Sequence, residues 1–234
     1  MKKGQILDRL NQSLIVSVQS SEQNPLSTTN HMVLLAECSA VAGCRNYRVD
    51  TPEHIEAIKK AIPDALVIGI WKMDYPDSNV YITPSMKEVE ALIACGTDIL
   101  ALDGTHGINP AGETTYTLIR KIKKRYPNVI LMADVATVAD ALESERAGVD
   151  IVSTTLRGYT ADTKELMGKD CDMEFIRELR KAISCFLVAE GKIWTKEDAV
   201  KALEVGADAV VVGTAINNPK LITERFLKAI EEHV

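Results

Sequence analysis

The sequence predicts an α/β protein built as one (β/α)8 TIM barrel over residues 1–234, and three observations carry that prediction. Apolar runs with hydrophobic residues on both faces alternate with capped helical patterns, as expected of parallel strands covered by helices. Eight such units fit within 234 residues, which suits a closed barrel better than an open sheet, and no Pro- or Gly-rich linker divides them. The runs also end in polar or glycine residues, which a barrel would gather at the carboxyl face where such folds carry their active sites.

Each element has its own signal. Leu14-Ile15-Val16 leads to Gln19, and Cys44-Arg45-Asn46-Tyr47 leads to Arg48. Thr51-Pro52-Glu53 opens a helix, with Thr51 as N-cap, Pro52 at the first helical position, and Ala57, Ile58 and Ala61 as its apolar stripe. The next run, Leu66 to Trp71, stops at Lys72. Period two places Ile68, Ile70 and Lys72 on one face and Val67, Gly69 and Trp71 on the other, so the amine projects inward. Pro84-Ser85-Met86 starts a helix that ends near Cys95-Gly96, and Ile99 to Leu102 then runs to Asp103. Lys121 to Arg125 is the densest basic stretch and reads as a solvated helix face. Val129 to Ala133 ends at Asp134, and Thr137 begins a helix closing at Ala147-Gly148. Ile151-Val152-Ser153 leads to Thr155, and Phe186 to Ala189 leads to Glu190. Thr195 opens a helix that closes at Val205-Gly206, and Val210 to Val212 ends at Gly213. Asp150 and Asp208 each follow a helix-ending glycine, so the same αβ turn is written twice.

Composition excludes several classes of function. A net charge of −6 argues against a nucleic-acid surface, which needs clustered Lys and Arg. Five cysteines without C-x-x-C spacing favour free thiols in a reducing cytosol. Neither a signal peptide nor an apolar stretch of membrane-spanning length is present, so the expectation is a soluble cytoplasmic protein with no membrane partner. A homo-oligomer is left open.

The chemistry expected at the strand ends is anionic and acid–base. Glu190-Gly191-Lys192-Ile193 and Gly213-Thr214-Ala215-Ile216 place small residues after the last two strands, where barrels commonly hold phosphate on backbone N–H groups. Lys72 with several carboxylates and a phosphate anchor suggests a sugar phosphate handled by proton transfer next to a carbonyl. Lys72 can act as a base only when neutral, which desolvation or a cation such as Arg48 would favour and Glu190 would oppose. A structural Lys72–Glu190 salt bridge is the alternative. Two further readings use the same residues: Lys72 as a Schiff-base nucleophile in an aldolase-like reaction, or a non-catalytic sugar-phosphate-binding barrel. No metal is expected, since Asp103, Asp134 and Glu190 lack clustered D-x-D spacing. His106 reads as an exposed loop residue, and Trp71 and Trp194 as packing beneath helices.

Ile68-Gly69-Ile70-Trp71-Lys72-Met73-Asp74-Tyr75-Pro76-Asp77-Ser78, followed by Val80-Tyr81-Ile82-Thr83-Pro84 and Lys87-Glu88-Val89, resembles the N-acetylmannosamine-6-phosphate 2-epimerase family of sialic acid catabolism. Leu14 to Gln19, Met132 to Thr137, Ser153 to Thr160 and Ala189-Glu190-Gly191 extend the resemblance along nearly the whole chain. It implies a cofactor-independent barrel that inverts C2 of the phosphorylated amino sugar, giving N-acetylglucosamine 6-phosphate. On the same resemblance Lys72 transfers the proton, with Glu190 its acidic partner near the ring-opening end. Gln19, Arg48 and Asp134 would hold the sugar, and Gly191 and Gly213 the phosphate, with Thr214 a further substrate-binding residue. Three loops depart from the family pattern. Val49-Asp50-Thr51 follows Arg48, Gly104-Thr105 and Asn109-Pro110 follow the fourth strand, and Asn218 stands where an arginine is expected to face phosphate, a loss that Lys192 could offset.

Overall fold

The computed structural model describes residues 2–19 and 24–233. A short helix, α1 (Lys3–Leu10), comes first. The barrel then follows as β1 (Ser13–Val18), α2 (Thr29–Val41), β2 (Asn46–Asp50), α3 (Pro52–Ala61), β3 (Leu66–Ile70), α4 (Met86–Ala94), β4 (Ile99–Asp103) and α5 (Thr115–Arg125). Its second half is β5 (Leu131–Asp134), α6 (Val138–Ala147), β6 (Ile151–Ser153), α7 (Met173–Ala182), β7 (Phe186–Glu190), α8 (Lys196–Glu204) and β8 (Ala209–Val212). A one-turn helix, α9 (Thr214–Asn217), and α10 (Pro219–Glu231) end the described chain. All eight strands are parallel, each pairs with its sequence neighbour, and Ser13 opposite Ala209 closes the ring. The (β/α)8 TIM barrel expected from the sequence is therefore the fold.

Period-two alternation builds two cores from the same strands. Ile15, Ile68, Ile70, Met132, Val188 and Val211 fill the barrel interior, and α1 closes its amino end by adding Ile6 and Leu10 to that cluster. Val67, Leu100, Leu131 and Leu187 point outward onto the helices, where they meet residues such as Ile55, Val89, Ile119 and Ile176. Gly69 is required by the outer contact, since a Cβ there would lie 2.4 Å from Thr97 Oγ1. The expected caps are present: Thr51, Ser85, Thr137 and Thr195 each accept a backbone N–H from their own helix, and Gly148 ends α6 at φ 109°.

The amino end is held by a repeated clamp. Asp98, Asp150 and Asp208 open the turns into β4, β6 and β8, and each Oδ2 accepts the N–H of an earlier strand residue, Val67, Leu131 and Leu187 respectively. The same oxygens bind Lys59 at 2.7 Å, Lys123 at 2.9 Å and Arg180 at 3.0 Å. At β2 an amide does the equivalent work, with Asn46 bridging Arg9 of α1 and Ser13 of β1. Asn46, Asp98 and Asp150 are spaced 52 residues apart. Lys123 therefore departs from the solvated-face expectation, because its amine turns inward to Asp150 and to the Val129 carbonyl. Asp150 also takes a hydrogen bond from Lys3. Burial pushes its carboxyl up, but Lys3, the Leu131 N–H and Lys123 outweigh that and hold it below the ordinary carboxylate range.

A second difference concerns β2, which runs two residues past Arg48 to Asp50. Asp50 is in register with Ile70, and Thr51 N–H continues the pairing onto the Ile70 carbonyl. The outer layer is also incomplete at one place. No residue of α10 is buried, and Leu221, Phe226, Leu227 and Ile230 are exposed along it. A groove of about 860 Å³ lies open against β1 and α2, lined by Leu14, Val16, Leu35 and Cys38 among others. All five cysteines are free.

Candidate active site

Arg48 is the centre of the site. It leaves the inner face of β2, crosses the barrel and forks onto Asp134 of β5, with Nη1 to Oδ1 at 2.9 Å and Nη2 to Oδ2 at 2.5 Å. The same Nη1 reaches Glu190 Oε2 at the end of β7, at 2.8 Å. The arginine and aspartate side chains are 1% and 0% exposed and the glutamate 11%, so one cation is shared by two carboxylates away from solvent. Burial pushes Glu190 up to about 7, the Arg48 charge pulling it back and Asp134 pushing it further. Burial works against the Arg48 charge, but Asp134 and Glu190 outweigh it and raise its proton affinity. Thr155 Oγ1 donates to Asp134 Oδ1 at 2.6 Å and completes that carboxylate. Asp134 thus lies beneath Arg48 and aims it.

Lys72 stands at the opposite wall, just past β3, where its backbone bridges Ile82. Its amine donates to Gln19 Oε1 at 2.7 Å and lies 3.9 Å from Asp50 Oδ2. Gln19 is held in turn by donating to Ser17 Oγ. Gln19, Arg48, Lys72, Glu190, Gly191 and Thr214 all line one cavity of about 300 Å³ at the carboxyl mouth. The salt bridge considered between Lys72 and Glu190 is not formed, because Glu190 is taken by Arg48 and Lys72 by Gln19. Tyr81, pushed up to about 12 by burial and then by Asp134 and Asp103, stays protonated in the cavity wall.

A smaller cavity of about 160 Å³ adjoins it, with Glu190, Gly191, Thr214 and Tyr159 common to both and Lys192, Gly213 and Trp194 added. Gly213 is the N-cap of α9, and Asn217 of that turn ties it to β1 by donating to the Ser17 carbonyl. Trp194 thus differs from the packing expected of it, since it borders this cavity beneath Arg225. Asn218 lines the central cavity, but its Oδ1 is engaged as the cap of α10, accepting the Leu221 N–H. Lys192 Nζ donates to the Leu166 carbonyl at 2.7 Å, and Tyr159 lies under it.

On the far side of Tyr81 and Tyr159 a third cavity of about 190 Å³ contains Asp103 and His106. His106 is exposed, as expected, and its ring nitrogens lie 3.4 Å from Asp140 and 3.3 Å from Asp162. Among the described residues no group of three His, Cys, Asp or Glu side chains is arranged to hold a metal ion. Sequence reasoning missed Asp50, Tyr81 and Tyr159 as cavity or contact residues. Period two in β2, which repeats Arg48 at Asp50, was the available signal for the first.

Fold and site together put the chain in the class of (β/α)8 barrels with a polar, charged cavity at the carboxyl ends of their strands, where enzymes of this fold carry their active sites. The family model described as "Putative N-acetylmannosamine-6-phosphate epimerase" matches residues 32–232. A Caldanaerobacter subterraneus subsp. tengcongensis protein named "Putative N-acetylmannosamine-6-phosphate 2-epimerase" is 44% identical over 97% of this chain and 94% of its own length. One of the same name from Enterobacter sp. is 43% identical over 97% of both chains. The solved N-acetylmannosamine-6-phosphate 2-epimerase of Clostridium perfringens superposes with a TM-score of 0.90, at 37% identity and 96% coverage of each chain. The chain belongs to this epimerase family. Among the described residues no helix is long and apolar enough to cross a membrane.

Proposed function

We propose that the protein interconverts N-acetylmannosamine 6-phosphate and N-acetylglucosamine 6-phosphate by removing and returning the proton at C2, in cytoplasmic amino-sugar breakdown. One observation carries the mechanism: Lys72 and Glu190 come from β3 and β7, diametrically opposite strands of the ring, and line one cavity. A sugar between them presents one face of C2 to each. The Lys72 amine takes the C2 proton of the open-chain form, and the carbonyl oxygen at C1 receives the electron pair. Glu190, protonated in a large fraction of molecules at neutral pH, supplies a proton to the opposite face, and the reverse reaction exchanges the two roles. Arg48 and Gln19 orient the sugar, and Asp134 holds Arg48. The adjoining cavity, with Gly191, Gly213 and Thr214, takes the phosphate, so Asn218 is spared for its cap.

Deuterium uptake at C2 in D₂O tests this reading. Lys72→Met is expected to abolish epimerisation while leaving sugar-phosphate binding within a few-fold of the parent. Full exchange in that variant, or a borohydride-trapped adduct on Lys72 of the parent, would replace the proton-transfer reading.

We further infer that two copies associate through α10. A barrel needs a helix over each strand pair, this chain's α10 covers none of its own, and the groove beside β1 is apolar and open. A second copy's α10, with Phe226 and Ile230, fits that groove. Light scattering should find dimers that Phe226→Asp with Ile230→Asp converts to monomers, and a monomeric parent would refute the pairing.

A further inference from the structure

We propose that Asp50 is the positioning residue of Lys72: its carboxylate seats the ammonium that forms when the lysine takes a proton. The inference deepens the epimerase reading and rests on it for the chemistry, although the Asp50–Lys72 pairing is itself a matter of geometry. Asp50 ends β2, two residues beyond Arg48 on the same inner face, and its side chain is 13% exposed. Its Oδ1 accepts the Lys72 backbone N–H at 3.1 Å, and its Oδ2 lies 3.9 Å from Nζ of the same lysine. One oxygen would suffice to hold the backbone. The second gives the amine a negative partner that an amide could not.

The backbone around the pair is built to keep it aligned. Immediately after Asp50 the chain turns through Thr51 at φ 71° and ψ 141°, a conformation that a β-branched residue adopts only at a cost. Thr51 N–H donates to Ile70 O at 2.9 Å while Lys72 N–H donates to Asp50, so the ends of β2 and β3 bind each other reciprocally. Every other group near the amine has a different task. Gln19, just past β1, accepts one of its protons without charge, Glu190 of β7 and Arg48 of β2 are committed to each other, and Tyr81 and Tyr159 form the cavity wall. His54 of α3 is the remaining titratable group that acts on Asp50, and it lowers the carboxyl slightly. Burial raises the Asp50 carboxyl and the Lys72 charge lowers it, as expected of a pair drawn partly out of water.

The test compares Asp50→Asn with the parent by two readouts. An asparagine keeps an oxygen for the Lys72 N–H and removes only the charge. The first readout is acetic anhydride labelling of Lys72 across pH, followed by mass spectrometry, which needs no catalysis. The second is the pH profile of C2 exchange. A carboxylate at this distance favours the ammonium, so in the variant the labelling midpoint should fall by about 0.5–1 pH unit. The acid limb of kcat/KM should move down by the same amount with KM changed less than about threefold. An unmoved labelling midpoint overturns the proposal, even if activity falls. Absence of C2 exchange in the parent overturns the epimerase reading instead, and leaves the labelling result to decide the Asp50 role.

Discussion

Asp150 and Glu190 are both acids gripped by basic side chains in the same barrel, at opposite ends of it, and their environments push them in opposite directions. At the amino end Asp150 collects Lys3, Lys123 and a backbone N–H, and its proton affinity falls. At the carboxyl mouth burial raises the Glu190 pKa to about 7, with Asp134 adding to the rise and the shared Arg48 only partly offsetting it. Backbone strain follows the same division. Of the four non-glycine residues at positive φ among the described residues, Thr51, Thr83 and Lys192 lie in loops at the mouth and Gln12 lies at the amino end. Arg48 Nε adds to this, being buried with no acceptor among the described residues. Satisfied ion pairs gather at the amino end, and most of the strained or unpaired groups lie at the mouth.

The largest effect that could break this contrast lies at the amino end. Asp150→Ala leaves the Leu131 N–H without its acceptor and Lys123 without its carboxylate, so unfolding in urea should show a loss of about 2–4 kcal/mol at pH 7 with kcat unchanged. Because the folded carboxyl lies below its ordinary value of 3.8, the loss is full above that value and disappears as pH falls through the folded one. A stable variant with reduced kcat would mean that the two ends are not divided in this way.

Glu190→Gln should act with the opposite sign and a smaller magnitude. Its raised value means that the stability contributed by the neutral acid is complete below the ordinary 4.5 and drains away as pH rises through about 7. At pH 8 the parent therefore carries the cost of a second buried anion, and the variant, which keeps Arg48 balanced by Asp134, should gain about 1–2 kcal/mol while losing epimerisation. The gain should vanish near pH 4. Thermal melts at the two pH values are the measurement, and a variant less stable at pH 8 would show that Glu190 supports Arg48 more than it burdens it.

Much of this was legible because it is local. Lys72, Gln19 and Glu190 end apolar runs, and a barrel brings run ends together whatever their order in sequence. The caps at Thr51, Ser85, Thr137 and Thr195 were equally readable. What could not be read were partners chosen by ring closure: Arg48 meets Asp134 and Glu190 across 86 and 142 residues of chain. Lys123 looked like part of a solvated stripe for the same reason, since its acceptor opens β6, a whole strand and helix further on. Asn218 shows a different limit. The sequence marks it as a missing arginine, whereas locally Asn218-Pro219 is a helix start, and the cap is what the chain builds there.

The clamps at the amino end also divide the chain into quarters. Each joins an odd-numbered helix, the strand after it and the next even strand: α1, β1 and β2 through Asn46, then α3, β3 and β4 through Asp98, and so on through Asp208. Apart from the added Lys3–Asp150 contact, none crosses the connections from β2 to α3, β4 to α5 or β6 to α7. Those three loops are therefore the natural breakpoints for a circular permutation or a split pair of fragments, because a cut there leaves every quarter with its own clamp intact.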